Sequence, residues 1–503
     1  MTRIRSPRFQ SKVMSADDAA ALISDGDQVG FSGFTGSGYP KAVPGALARR
    51  VEAARAGGDN LQVGLCTGAS TAPECDGELA GAGSISFRMP YQSDPVMRNA
   101  INAGDIDYID MHLSHSGPVV RHGFLGPMDV AVVEITAVTP DGALIPSSSI
   151  GNNTVWLETA RKVILEVNSW QSEDLEGMHD VYTAVHTPPH NVPIPLVEPG
   201  DRIGTPTLHV DPDKVIAVVP TDAPDRNTPF KEIDADSATI GNLYVDFLLH
   251  EVKQGRLPQS LLPLQSGVGN IANAVLGGLL AHPDLGHLTS YTEVIQDGMV
   301  DLIDAGKLDV ASATAFSLSP EAAVKMNDRA DFYRKHIVLR PQEISNSPEV
   351  IRRLGVLTCN GIVEADIYGN INSTHIMGSR MQNGIGGSGD FTRNAYISAF
   401  VTPSTAKGGA ISCIVPMVSH HDHTEHDVMV VITEQGVADL RGLAPRKRAQ
   451  EIIKVAHPAY RPMLEEYVER AARNANGAHT PHDLAQALSW HVRMLQTGSM
   501  LPA

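Results

Sequence analysis

One glutamate draws attention by its surroundings. Glu293 lies in Tyr291-Thr292-Glu293-Val294-Ile295-Gln296-Asp297-Gly298, 24 residues after Gly269 of the turn Gln265-Ser266-Gly267-Val268-Gly269-Asn270. Glycine lets the main chain approach a ligand closely and aim N–H groups at a negative oxygen. A carboxylate near such a turn can act as a nucleophile whose oxyanion is held by amides. Gly267 to Ala272 also spell G-x-G-x-x-A, and an acid about 20 residues further on is the mark of a dinucleotide-binding fold, with Glu293 on a ribose. An acid of that kind normally ends its strand, whereas the apolar pair Val294-Ile295 follows this one. A structural salt bridge is the third reading of Glu293, and at this point all three stand.

Other patterns compete for attention. The run Gly384-Ile385-Gly386-Gly387-Ser388-Gly389, between Asn383 and Asp390, gives up chain entropy without supplying packing, which favours a ligand role. Gly36-Ser37-Gly38 reads more simply as a tight turn. Lys407, in Ser404-Thr405-Ala406-Lys407-Gly408-Gly409, is either a phosphate partner or an ordinary surface lysine. His420-His421-Asp422-His423-Thr424-Glu425-His426 would place His421 and His423 on one strand face, as a metal site needs. The run sits between two apolar segments, so a polar loop is the better reading, and no metal is expected. No G-x-S-x-G window occurs, which argues against serine-hydrolase chemistry.

These residues need a frame to position them. The chain has 503 residues, and one hydrophobic core rarely outgrows roughly 250–300 residues, so two domains are expected. A hydrophobic share of 42% with 19% charged excludes a disordered chain. No apolar window reaches the roughly 18–20 residues of a membrane span, and the N-terminus lacks the apolar stretch of a secretory signal. A net charge of −18, with no basic stripe, argues against a nucleic-acid partner. Cys66, Cys75, Cys359 and Cys413 lie too far apart for a disulfide framework or zinc site, which fits a reducing cytoplasm.

Ten of the 33 prolines fall between Pro188 and Pro229, which predicts an extended connection rather than regular helix or central strand. The expected domains are therefore 1–225 and 226–503. Before the connection, strands are expected at 28–33, 61–66, 130–138 and 162–168, with a helix over 42–54. After it come helices over 243–254 and 271–281 and strands over 262–265 and 290–296. Helices over 446–501 pack back on the body. Strands alternating with helices imply a mostly parallel sheet, hence an α/β fold. A faint echo supports two similar halves, since 32–47 and 264–279 both read as strand, glycine turn, helix.

Here the chain becomes recognisable. The segments GFTGSGYPKAVP (33–44), TGAST (67–71), MRNAINAGDIDYID (97–110), LLPLQSGVGNIANAVL (261–276), YTEVIQDGM (291–299), SNSPEVIRRLG (345–355), NGIVEADIYGNINSTHIMGSRMQNGIGGSGDF (360–391), STAKGG (404–409) and TEQGVADLRGL (433–443) resemble the class I CoA-transferases of the acetyl-CoA hydrolase/transferase family over essentially the whole chain. The resemblance implies two open α/β domains of similar fold, with the active site between them. It implies that Glu293 is the covalent nucleophile and that Asn346 helps place it. It puts Gln265, Ser266, Gly267, Val268, Gly269, Asn383 and Gly387 around CoA and the thioester oxygen, with Lys407 a phosphate partner. Ser70, Ser93, Arg226 and Glu434 fall where the family gathers a small carboxylate; threonine is common where Ser93 stands, and the hydroxyl is kept. The reaction expected is transfer of CoA from succinyl-CoA to acetate. CoA is then a substrate, no cofactor is needed, and the enzyme is a cytoplasmic homodimer. Acyl-CoA hydrolysis on the same scaffold is the alternative, and NAD-dependent oxidation is the alternative from another class.

Overall fold

The computed structural model describes residues 3–70, 72–227, 232–267 and 269–502, at Ser70 the main chain alone. The chain forms two compact units. One comprises Met1–Pro229 with Thr289–Leu354, the other Phe230–Leu288 with Gly355–Ala503. The units interleave along the chain, where the proline pattern suggests one cut at 225/226.

In the first unit, eight strands form one sheet: β1 (Gln28–Thr35), β2 (Val63–Ser70), β3 (Ile85–Met89), β4 (Asp107–Tyr108), β5 (Val130–Val138), β6 (Leu144–Pro146), β7 (Lys162–Asn168) and β8 (Val215–Thr221). Their order is β4-β3-β2-β1-β5-β7-β8, all parallel, with β6 antiparallel on β5. The β5 run Val130–Val138 is buried at every position, as a parallel strand covered on both faces should be. The order reverses between β1 and β5, and open α/β sheets bind ligands beyond the carboxyl ends of strands at such a point. The turn 36–38 leaves the carboxyl end of β1, and Ser70 ends β2.

The helix Val43–Ala56 follows that turn. Ala42 has no side-chain oxygen to cap it. The buried Glu166 of β7 does so instead, accepting from the N–H groups of Lys41 (2.7 Å) and Val43 (2.7 Å). Glu134 of β5 is likewise buried and takes the Lys41 ammonium at 2.6 Å and the Asn168 amide at 2.9 Å.

Strand β8 lies inside the proline-rich stretch, where a connection alone was expected. It is an edge strand in the sheet order, and Pro220 falls near its end, so the missing N–H interrupts no central ladder.

In the second unit the strands Leu264–Ser266, Leu357–Gly361, Ile397–Val401 and Val430–Thr433 lie side by side and parallel, with Gly436–Asp439 antiparallel beyond them. Helix Asn270–Ala281 follows the first of these after a glycine turn, repeating the strand, turn and helix of residues 28–56. The helix expected over 243–254 starts earlier, at Ala235. The Asp234 carboxylate caps it by accepting from the Ser237 N–H at 2.7 Å, and the intervening Ser, Thr, Gly and Asn residues mask its periodicity. The C-terminal helices Pro445–Lys454, Arg461–Asn474 and Ser489–Thr497 bury Ile452, Leu464, Tyr467 and Trp490 against Phe400 and Val431 of this sheet.

Candidate active site

The strand expected over 290–296 is broken at its centre. Leu288–Tyr291 ends before Thr292, and Val294–Gln296 begins a new strand that pairs in parallel with Ala315–Ser317. Glu293 sits in the break. Its carbonyl accepts from the N–H groups of Thr314 (2.9 Å) and Ala315 (3.3 Å), which pins the main chain and leaves the side chain half-buried. Since a strand does end just before Glu293, the apolar pair that follows it does not by itself separate a nucleophile from a ribose-binding acid.

What Glu293 touches is more telling. The Asn346 side-chain amide donates to Glu293 Oε1 at 2.7 Å. Asn346 is fully buried, and its own Oδ1 accepts from the Ser345 hydroxyl at 2.9 Å. An amide oriented in this way holds one carboxylate oxygen and favours the ionised form.

Ser93 shares this neighbourhood through Tyr91, a residue the sequence reading did not single out. The two side chains share a hydrogen bond. Burial pushes the Tyr91 hydroxyl up to about 12; the Ser93 bond opposes that, and the negative charge of Glu293 adds to it. Tyr91 packs on an apolar cluster of Phe34, Ala69, Leu113, Val294 and Ala315, which fastens the start of the glycine turn to the residue after Glu293. The side chain of Ser70 lies outside the described residues.

Arg226 is built into the same turn. Its N–H donates to Gly36 O at 2.9 Å, and a Cβ on Gly36 would come 2.1 Å from the Arg226 carbonyl oxygen. Asp225 accepts from Gly38 N–H (3.0 Å) and from the Lys41 ammonium (2.8 Å); Asn227 accepts from Gly36 N–H (3.0 Å). Gly36 and Gly38 are thus required by close packing within the chain. The Arg226 guanidinium is largely exposed and meets Glu74 at 2.9 Å.

In the second unit, Gln265, Ser266, Gly267 and Gly269 lie at the carboxyl end of the parallel strand Leu264–Ser266, whereas Asn383, Gly387 and Lys407 lie in loops and an antiparallel hairpin. The Gln265 amide pairs with Asn360 (3.1 Å) and accepts from Cys359 N–H (3.3 Å), so it ties adjacent strands together. Ser266 is buried, and its hydroxyl donates to Gly267 O at 3.3 Å; Gly267 N–H donates to Cys359 O at 2.9 Å. Val268 lies outside the described residues. Gly269 precedes the helix Asn270–Ala281 at φ 129° and ψ −177°, a region open to glycine alone, and no described atom stands within 4 Å of where a Cβ would be. Gly387 is buried at the start of the short helix Ser388–Thr392. Asn383 spends its amide on the carbonyls of Ser373 (3.3 Å) and Gly384 (2.9 Å), which fixes the loop. Lys407 is exposed at the tip of a hairpin, with φ 49°.

Glu434 follows Val430–Thr433. It accepts from Ser404 N–H at 2.8 Å, from the Ser404 hydroxyl, and from the Gln435 amide at 3.0 Å. Burial raises its pKa, but these donors more than offset that, and the carboxyl stays below its usual range. An ionised Glu434 repels a carboxylate, so any part in binding one runs through the donors it orients.

The histidine run is a tied-down loop. His423 is buried against Phe400 and meets the Ser388 hydroxyl through Nε2 at 3.1 Å; Asp422 accepts from Ser373 and Thr374. Among the described residues, no group of three or more His, Cys, Asp or Glu side chains is arranged to hold a metal ion. No helix among them is long and apolar enough to cross a membrane.

In the first unit, Glu293 thus stands at a break between strands with one carboxylate oxygen on a buried amide. The family model "Acetyl-CoA hydrolase/transferase N-terminal domain" matches residues 2–220, and "Acetyl-CoA hydrolase/transferase C-terminal domain" matches 324–468. The chain belongs to the acetyl-CoA hydrolase/transferase family. It is 52% identical over 499 residues to the succinyl-CoA:acetate CoA-transferase of Clostridium kluyveri, covering 99% of this chain and 92% of that one. It is 45% identical to the propanoyl-CoA:succinate CoA transferase of Escherichia coli (97% and 98% covered) and 44% to the acetyl-CoA hydrolase of Schizosaccharomyces pombe (99% and 98%). Among solved structures, RipA from Yersinia pestis matches the fold with a TM-score of 0.72 at 23% identity, covering 94% of this chain and 99% of that one. The 4-hydroxybutyrate CoA-transferase of Porphyromonas gingivalis gives 0.63 at 22% (92% and 98%).

Proposed function

We propose that this protein moves CoA from succinyl-CoA to acetate through a thioester on Glu293. The observation that carries the reading is the buried Asn346 amide on Glu293 Oε1, which orients the carboxylate and favours its ionised, nucleophilic form. The C. kluyveri relative named for this reaction supports the choice of acids.

The steps balance without any added cofactor. The Glu293 carboxylate attacks the succinyl carbonyl, the C–S bond breaks, and CoA thiolate leaves an acyl-glutamyl anhydride. The thiolate attacks the glutamyl carbonyl, giving the glutamyl-CoA thioester and free succinate. Acetate then attacks that thioester, CoA leaves, and the thiolate takes the acetyl group, restoring the Glu293 carboxylate. Covalent catalysis splits one hard exchange into easier ones. In this reading the Gly269 and Gly387 amides stabilise the oxyanions, each such donor worth about 3 kcal/mol. Arg226, Ser70 and Ser93 hold the small carboxylate, Glu434 acts through the donors it orients, and Gln265 to Val268 and Asn383 shape the CoA side, with Lys407 a phosphate partner. A homodimer in the bacterial cytoplasm completes the proposal, on the family resemblance alone.

Intact-mass spectrometry after adding succinyl-CoA without acceptor tests it. A covalent CoA adduct is expected, absent in Glu293→Ala; full turnover by that variant overturns the mechanism. The S. pombe relative keeps hydrolysis as a second reading, in which water takes the glutamyl thioester. Rates that do not rise with acetate would favour it.

A further inference from the structure

The cation assigned to the substrate carboxylate already holds a carboxylate of its own. Arg226 meets Glu74 at 2.9 Å, and Glu74 is nearly buried while the guanidinium is largely exposed. The second Glu74 oxygen accepts from the Tyr39 hydroxyl at 3.1 Å. Tyr39 is fully buried; burial first, then the Glu74 charge, raises its pKa far above the ordinary value, so the hydroxyl keeps its proton and stays a donor. Lys41 fixes Tyr39 in turn, with its ammonium 4.1 Å from the ring centroid and 3.0 Å from the Tyr39 carbonyl oxygen. The Arg226 main chain has no freedom either, because Gly36 leaves no gap against it. Only the guanidinium can turn, and Glu74 stands at one side of it.

We propose that Glu74 is an affinity-setting residue that competes with the substrate acid for Arg226. The inference rests on the reading of Arg226 as the carboxylate's cation. Paired with Glu74, Arg226 brings no net charge, so an incoming acid must share or displace an internal anion. This holds the acid loosely and leaves its carboxylate free to react, where an arginine without an internal partner would clamp it in a bidentate pair. In this proposal Glu74 acts only through Arg226.

The test uses the full-length enzyme and acetate. Glu74→Gln keeps an oxygen for the Tyr39 hydroxyl and removes the charge. An exposed-side ion pair is worth enough to lower the acetate KM about fivefold. The initial rate of adduct formation from acetyl-CoA, a donor with no free carboxylate, read before released acetate accumulates, stays unchanged. If Glu74 merely props Arg226 in place, acetate KM instead rises, and a rise or no change overturns the proposal. Glu74→Met, which also removes the charge, carries the same expectation should the Gln variant melt early. Arg226→Ala separates the two claims. If that variant leaves acetate KM unchanged, the role of Arg226 itself is wrong; if it raises KM while Glu74→Gln fails to lower it, only the competition is wrong. In Arg226→Ala, adding Glu74→Gln has no further effect on acetate KM.

Discussion

Replacing Asn346 by alanine probes the centre of the mechanism. The amide of the fully buried Asn346 lies 2.7 Å from Oε1 of the half-buried Glu293, so its hydrogen bond is charge-assisted and partly shielded from water. Bonds of this kind contribute about 1.5–3 kcal/mol. At 1.36 kcal/mol per decade, kcat/KM for the transfer falls between about tenfold and about 150-fold. Fold stability changes less, by about 1 kcal/mol, the typical worth of a neutral hydrogen bond such as the one the Ser345 hydroxyl donates to Asn346 Oδ1. With the donor gone, Glu293 takes up a proton more readily, so the loss of rate at low pH sets in earlier than in the parent enzyme. Asn346→Asp gives the opposite profile. Two carboxyl groups at this distance cannot both ionise, so one proton bridges them at acid pH and the pair fails as pH rises. Rapid-quench intact-mass measurement of CoA adduct formation reads all three enzymes, with thermal melts as the control. An alanine variant that forms adduct at the parent rate, with an unshifted pH profile, refutes the role given to Asn346.

Lys41→Met leaves Glu134 and Asp225 buried without a cation, and a loss of about 3–5 kcal/mol in chemical denaturation is expected. Gly269→Ala forces a side chain into φ 129°, ψ −177°, at about 1–3 kcal/mol; a lowered melting temperature with a raised KM for the acyl-CoA is the outcome to look for. His179 supplies a pH test. Burial pulls its ring down to about 4 from 6.5, so the folded state favours the neutral imidazole, whose Nε2–H donates to Ser147 O at 2.8 Å. The folded pKa is the lower one, so the penalty is absent above about pH 6.5 and grows as pH falls through about 4, to about 3 kcal/mol. Urea melts of His179→Gln should show a shallower loss of stability than the parent between pH 7 and pH 4.

How much of this is visible in the residues alone depends on the range of the force that sets each feature. The strands at 28–35, 130–138 and 162–168 are apolar runs that must be buried whatever lies around them, and the parallel sheet follows from their alternation with helices. Glycine turns at 36–38 and 267–269 are equally plain, because glycine alone serves there. Their two reasons differ, however, and the sequence does not separate them: Gly36 is demanded by contact with the Arg226 main chain, Gly269 by its own dihedral angles. The break in the strand at Glu293 is invisible locally, since Val294-Ile295 continue the apolar pattern. It is made by the N–H groups of Thr314 and Ala315, which take the Glu293 carbonyl from elsewhere in the chain. Asn346 has no local mark at all; it meets Glu293 across 53 residues, and only family resemblance pointed to it. Glu74 carries no mark in the sequence, and Arg226 is pointed to by family resemblance alone. The fold brings the two to 2.9 Å, and the proposed roles of both rest on that contact. A side chain's type announces what chemistry it can do, while its partner decides whether that chemistry is offered to a substrate or spent within the protein.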